Sequence, residues 1–201
     1  MQTPEFFDTV PRIVVRDALA EFLGAVGDGV IEYAYLDAVK LAGHSCPTVA
    51  GAWLMTRAAL AHLYRDALPQ RGGLRVEMQA AQEAGVTGVI ASVAGLVTGA
   101  AGAGGFAGLA GRHARRDLLR FGVPMRGEMR FTRLDSGASV EVSHHTEAVP
   151  RPPSLSAQLQ AALAPGAGAA ARAAFAQTWQ GWVRTLLVEH ADDPALVRIH
   201  A

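Results

Sequence analysis

Gly43-His44-Ser45-Cys46-Pro47 places an imidazole two residues from the only thiol in a chain of 201 residues. Pro47 suits the first position of a helix, where its missing N–H would have had no partner. Cys46 then falls at the N-cap, where unpaired backbone N–H groups and the helix dipole favour an anion. A thiolate beside a histidine nitrogen supports two chemistries. It is a donor pair that suits zinc or another transition metal, or it is a nucleophile, Cys46, with its base, His44. A plain role as a small buried apolar side chain competes with both.

Two protein ligands do not close a zinc site, which takes four. Water, substrate or a partner protomer would fill the rest, and open positions mark a catalytic or sensory centre rather than a structural one. The candidate third donors are His144, His145, His113 and Asp37. His144 and His145 end a predicted strand, where successive side chains face opposite ways, so at most one of them would face the site. His145 is taken as the third metal ligand, against the competing role of a solvent-facing strand end. His113 lies between Arg112 and Arg115 and reads equally as surface, and Asp37 as a helix cap. Tyr33 and Tyr35 read as core residues or as the wall of a pocket.

The glycine-rich stretch 99–111 is not a phosphate loop of the Walker type, since no Lys-Ser/Thr follows it, and its glycine spacing gives no dinucleotide fingerprint. Followed by Arg112, Arg115 and Arg116, it could hold an anion on backbone N–H groups. A closely packed or mobile loop is the preferred reading, because no strand-to-helix signature flanks it.

These residues need elements to position them. Residues 11–26 read as an amphipathic helix, with Ile13, Leu19, Phe22 and Leu23 near a 3.6 period. Residues 30–35 alternate as a short strand, and 36–41 read as a short helix or turn stopped by Gly43. The strongest helix is 47–68, ended by Pro69-Gln70-Arg71-Gly72-Gly73. Strands are predicted at 74–78, 117–121, 128–134 and 139–144, with Asp135-Ser136-Gly137 as the hairpin turn between the last two. A small-residue helix is predicted over 86–97. After the stiff Pro150-Arg151-Pro152-Pro153 come helices over 154–163 and about 170–189. The pattern predicts an α+β fold, a mostly antiparallel sheet packed with helices. Residues 1–150 form the main domain and 151–201 a helical extension packing on it.

Composition narrows the partners. Lys and Arg together number 18, as do Asp and Glu, giving zero formal net charge and no reason to expect a nucleic acid or an acidic membrane. The hydrophobic share of 50% is too high for general disorder. A single cysteine forms no internal disulfide, and the first residues have no signal-peptide pattern, so the expectation is a cytoplasmic protein. The uncharged stretch 84–109 is long enough to span a membrane, but its glycines and its Thr87, Ser92 and Thr98 argue against a span.

The run Ala42-Gly43-His44-Ser45-Cys46-Pro47-Thr48 resembles the Gly-His-x-Cys-Pro-Gly signature of the FmdE family, named after the E component of formylmethanofuran dehydrogenase. The resemblance covers roughly residues 10–145 and includes a looser match at Gly111-Arg112-His113-Ala114. It implies an α+β domain with a metal, often zinc, bound near His44 and Cys46. The chain departs from the pattern at Ala42, where the family often has a second His, and at Thr48, where it has Gly. Gly85 and Gly88 stand where it often has Cys and Asp, and Arg112 where it has Lys. The cysteines of the zinc-ribbon tail seen in some members are absent.

Three functions remain open from the sequence. One is a metal-binding protein with an unknown small-molecule ligand. Another is a metal-free thiol enzyme. The third is a non-catalytic module binding a cofactor or another protein chain, in which Trp179 and Trp182 could anchor a homodimer instead of covering the chain's own core.

Overall fold

The run Pro47–Tyr64 is almost devoid of charge, and in a computed structural model describing residues 2–200 it forms the central helix. Eleven of its 18 residues are buried, with Trp53, Leu54, Met55 and Leu60 among the largest side chains of the core. A helix apolar on nearly every side must be surrounded. This one, α3, packs against α2 (Tyr35–Ala42) and α4 (Thr87–Thr98) and lies on the main sheet.

That sheet has five strands in the order β4-β3-β5-β6-β7: Leu119–Arg120, Leu74–Met78, Met129–Arg133, Ser139–His144 and Val197–His200. Only the β3–β4 pair is parallel. Alternation splits the sheet into two unlike faces. Val76, Phe131 and Val140 lie in one cross-strand row, and Met78, Met129 and Val142 in the next, all buried. The intervening row, Glu77, Arg130 and Glu141, is an ion-pair ladder with Arg130 to Glu141 at 2.7 Å and to Glu77 at 3.6 Å. The α+β fold, antiparallel-dominated and packed with helices, is therefore as the sequence implies.

Four elements differ from the sequence reading. Residues 11–26 are not one helix: Ile13–Arg16 is strand β1, paired antiparallel with β2 (Val30–Tyr33), and only Ala18–Phe22 is helical as α1. The β-branched Ile13, Val14 and Val15 favour the strand, and Ile13 and Val15 bury one face of it. Asp17 then starts the helix by accepting N–H bonds from Leu19 and Ala20. Strand 117–121 shrinks to Leu119–Arg120, with Asp117 at a positive φ of 62°. The last long helix, α6, runs Ala169–Arg184 and gives way to a single π turn over Thr185–Glu189. Finally, β7 joins the sheet through β6, so the C-terminal segment is not purely helical. Its other helix, α5 (Leu155–Leu163), packs on α6.

One buried charge cluster ties the first strand pair to the loops around β3. Asp17 is 3% exposed and receives Arg71 at 2.8 Å and Arg115 at 2.6 Å. Burial works to raise its pKa, but the Arg71 hydrogen bond, the Ala20 N–H and the Arg115 charge hold it below the usual carboxylate range. Arg115 lies over Gly72, where no Cβ would fit, and burial lowers its own pKa. The arginine after the glycine-rich loop thus faces inward as a structural tie, although Phe106 and Leu109 of the loop itself are exposed. Removing Asp17 would leave two guanidinium groups largely unpaired, so Asp17→Ala should cost ~3–5 kcal/mol in urea unfolding. The exposed Arg12–Glu32 pair provides the contrast: Glu32→Ala should cost less than ~1 kcal/mol.

Candidate functional site

Helix α2 ends because Gly43 adopts the left-handed conformation (φ 76°) and returns its N–H to the Val39 carbonyl. Three residues later the backbone is fully extended at Cys46 (φ −153°, ψ 169°), and α3 begins at Pro47. Cys46 is the N-cap, as its place before Pro47 implies. Its Sγ accepts the Val49 N–H at 3.5 Å and its carbonyl accepts the Ala50 N–H at 2.9 Å. The thiol is half-buried against the core.

His44 is exposed, and its Nδ1 lies 2.9 Å from the Ala42 carbonyl. A carbonyl only accepts, so Nδ1 carries the proton and Nε2 keeps its lone pair in the neutral ring. This is how metal-binding histidines are commonly set, with a backbone carbonyl fixing the tautomer. Ser45, between the two, is pinned through both its backbone and its side chain. Its carbonyl accepts from Trp179 Nε1 at 2.9 Å and Gln180 Nε2 at 3.1 Å, both on α6. Its hydroxyl meets the Tyr35 hydroxyl at 3.1 Å. Tyr35 is fully buried, edge-on to Phe7 and Trp53, and burial raises its phenol well above the ordinary value. It is a core residue whose polar end reaches the site.

The histidine pair sits differently from the expectation. His144, not His145, packs on α3: its ring occupies the space over Gly51 that a Cβ would need. Its Nδ1 is 3.2 Å from the Thr146 hydroxyl, and burial, aided by the neighbouring His145, pushes its pKa down to about 4. His145 instead bonds Glu147 at 3.1 Å. Nearby, Glu128 accepts the His144 backbone N–H at 3.4 Å, and burial raises its pKa.

Among the described residues no three His, Cys, Asp or Glu side chains are grouped to hold a metal ion. His44, Cys46 and His145 are therefore not brought together as a three-donor set. Asp37 caps α2 through the Ala34 N–H at 3.0 Å, and His113 stacks on Phe22 at 5.8 Å between ring centroids. The donors at the loop are the pair His44 and Cys46, chemically suited to a borderline-soft metal as part of an open site. The residues missed from sequence are those that pin Ser45. Trp179 and Gln180 lie 134 and 135 positions away along the chain, and no local pattern connects them to the loop.

Set beside known proteins, the chain matches no family model and none of the curated proteins.

Two outcomes follow from this geometry. Trp179→Phe keeps a ring but loses the N–H to Ser45, and should cost about 1 kcal/mol in chemical unfolding. For His144, a folded pKa of about 4 against an unfolded value of about 6.5 means that the unfolded chain binds more protons between those values. Its contribution is complete above pH ~6.5 and is lost as pH falls towards 4, on the order of 3 kcal/mol. Glu128, with its raised pKa, has the opposite sign. The difference in unfolding free energy between the wild type and His144→Gln, followed from pH 7 to 4, should isolate the histidine slope.

Proposed function

We propose that the Gly43–Cys46 loop is an open metal site of the FmdE kind, with His44 Nε2 and Cys46 Sγ as its protein donors. The observation that carries this reading is the Ala42 carbonyl on His44 Nδ1, which leaves the outward nitrogen with a free lone pair two residues from the only thiol. An imidazole nitrogen with a thiolate favours zinc or another transition metal over calcium or magnesium. The remaining positions are left to water, to a small-molecule ligand or to donors from a second copy in a homodimer. Open positions suit binding and activation of that ligand rather than a purely structural role.

A second reading is favoured by one observation, the Val49 N–H directed at Cys46 Sγ. In it Cys46 is a nucleophile and His44 its base, with no metal. The single cysteine supports a reducing, cytoplasmic location for either chemistry. Among the described residues no helix is long and apolar enough to cross a membrane.

Elemental analysis separates the two. Protein purified without chelator should hold about one equivalent of zinc or another transition metal, lowered by roughly 10-fold or more in both Cys46→Ser and His44→Ala. Equal metal content in the wild type and both variants would overturn the metal reading. For the thiol reading, the same protein after chelation should be alkylated by iodoacetamide at pH 6 faster than free cysteine, and slower labelling would overturn it.

A further inference from the structure

A cleft of about 570 Å³ lies between α3, the turn after the π segment and the edge strand β7. Its volume is within the range of small-molecule sites. The small side chains of Ala58 and Ala61 on α3 leave it open, and Val197 and Ile199 of β7 with Pro194 complete an apolar floor. Charge enters at two places. Arg57 projects from α3 and pairs with Asp192 at 2.6 Å. Asp193 is committed to His190 and to the Ala195 N–H, both at 2.8 Å.

The Arg57–Asp192 pair is lopsided. The Arg57 side chain is 27% exposed, while Asp192 is 80% exposed and held by no other side chain or backbone group among the described residues. An exposed carboxylate loses little on returning to water. Arg57 is thus a partly desolvated guanidinium at the edge of an apolar floor, matched by the Ala191 carbonyl at 3.4 Å and by a carboxylate that is easily displaced. A guanidinium fork recognises carboxylates in two-point fashion.

We propose that this cleft binds a small amphipathic carboxylate, its acid group on Arg57 in place of Asp192 and its apolar body on the Ala58–Ala61 face of α3. A neutral or cationic ligand of the same shape gains nothing from that guanidinium. The site is separate from the His44–Cys46 loop and does not rest on the metal reading.

Isothermal titration with hexanoate, hexan-1-ol and hexylammonium tests it on the full chain. Hexanoate should bind at one site, with the alcohol and the amine roughly tenfold weaker or worse. Asp192→Asn removes the internal competitor from an exposed position and should tighten hexanoate several-fold, whereas Arg57→Gln and the cleft-filling Ala61→Leu should each weaken it by about tenfold. Thermal melts of each variant check that the fold is kept. Cys46→Ser should bind hexanoate as the wild type does. No saturable binding of hexanoate, equal binding of the alcohol, no tightening in Asp192→Asn, or loss in Cys46→Ser would each overturn the proposal.

Discussion

Helix α3 is apolar on almost every side, and the remaining architecture is arranged to cover it. Two helices and the inner face of the sheet enclose Trp53, Leu54, Met55 and Leu60, so the helix cannot slide or rotate without opening the core. That fixes where its first turn lies. The N-terminal N–H groups of a buried helix need partners, and Cys46 supplies one through its sulfur. The candidate site is in this sense a consequence of packing: the thiol stands at the polar N-terminal end of the most buried element. Gly51, one turn later, admits the His144 ring from the sheet, which locks helix to strand close to the same end.

Two polar hubs do what the apolar core cannot. Asp17 gathers Arg71 and Arg115 from distant loops, and the Ser45 carbonyl gathers Trp179 and Gln180 from α6. Both use buried or half-buried groups whose hydrogen bonds are costly to leave unmade, so each fixes a loop that glycine-rich sequence alone would leave free. The Ser45 hub matters more for chemistry. It holds the middle of the loop, with His44 exposed on one side and Cys46 half-buried on the other. It also ties helix α6 to the candidate loop through Trp179 and Gln180.

Much of this was legible in the sequence where signals were local. Pro47 announces the start of α3 and hence the Cys46 cap, Gly43 ends α2, and Asp135-Ser136-Gly137 turns the β5–β6 hairpin. The first segment misled because Leu19, Phe22 and Leu23 recur at a helical spacing, which extends the helix reading back over Ile13, a strand residue. Only the β-branched neighbours of Ile13 and the Asp17 cap distinguish the two. Strand β7 alternates over only four residues, Val197–His200, and is fixed by its pairing with β6, a non-local fact. The choice between His144 and His145 turned on Gly51, whose missing side chain makes room for one ring and not the other. The pinning of Ser45 was beyond reach, since a backbone carbonyl carries no mark in sequence of which distant side chains it will accept.

The central claim is that His44 and Cys46 act together as donors to one ion, and cobalt(II) titration of the metal-free protein tests it most directly. Coordination by the Cys46 thiolate should produce a sulfur-to-cobalt charge-transfer band in the near ultraviolet that saturates at about one equivalent. The band should vanish in Cys46→Ser and weaken in His44→Ala. A spectrum without that band, or one identical in the wild type and Cys46→Ser, would contradict the account.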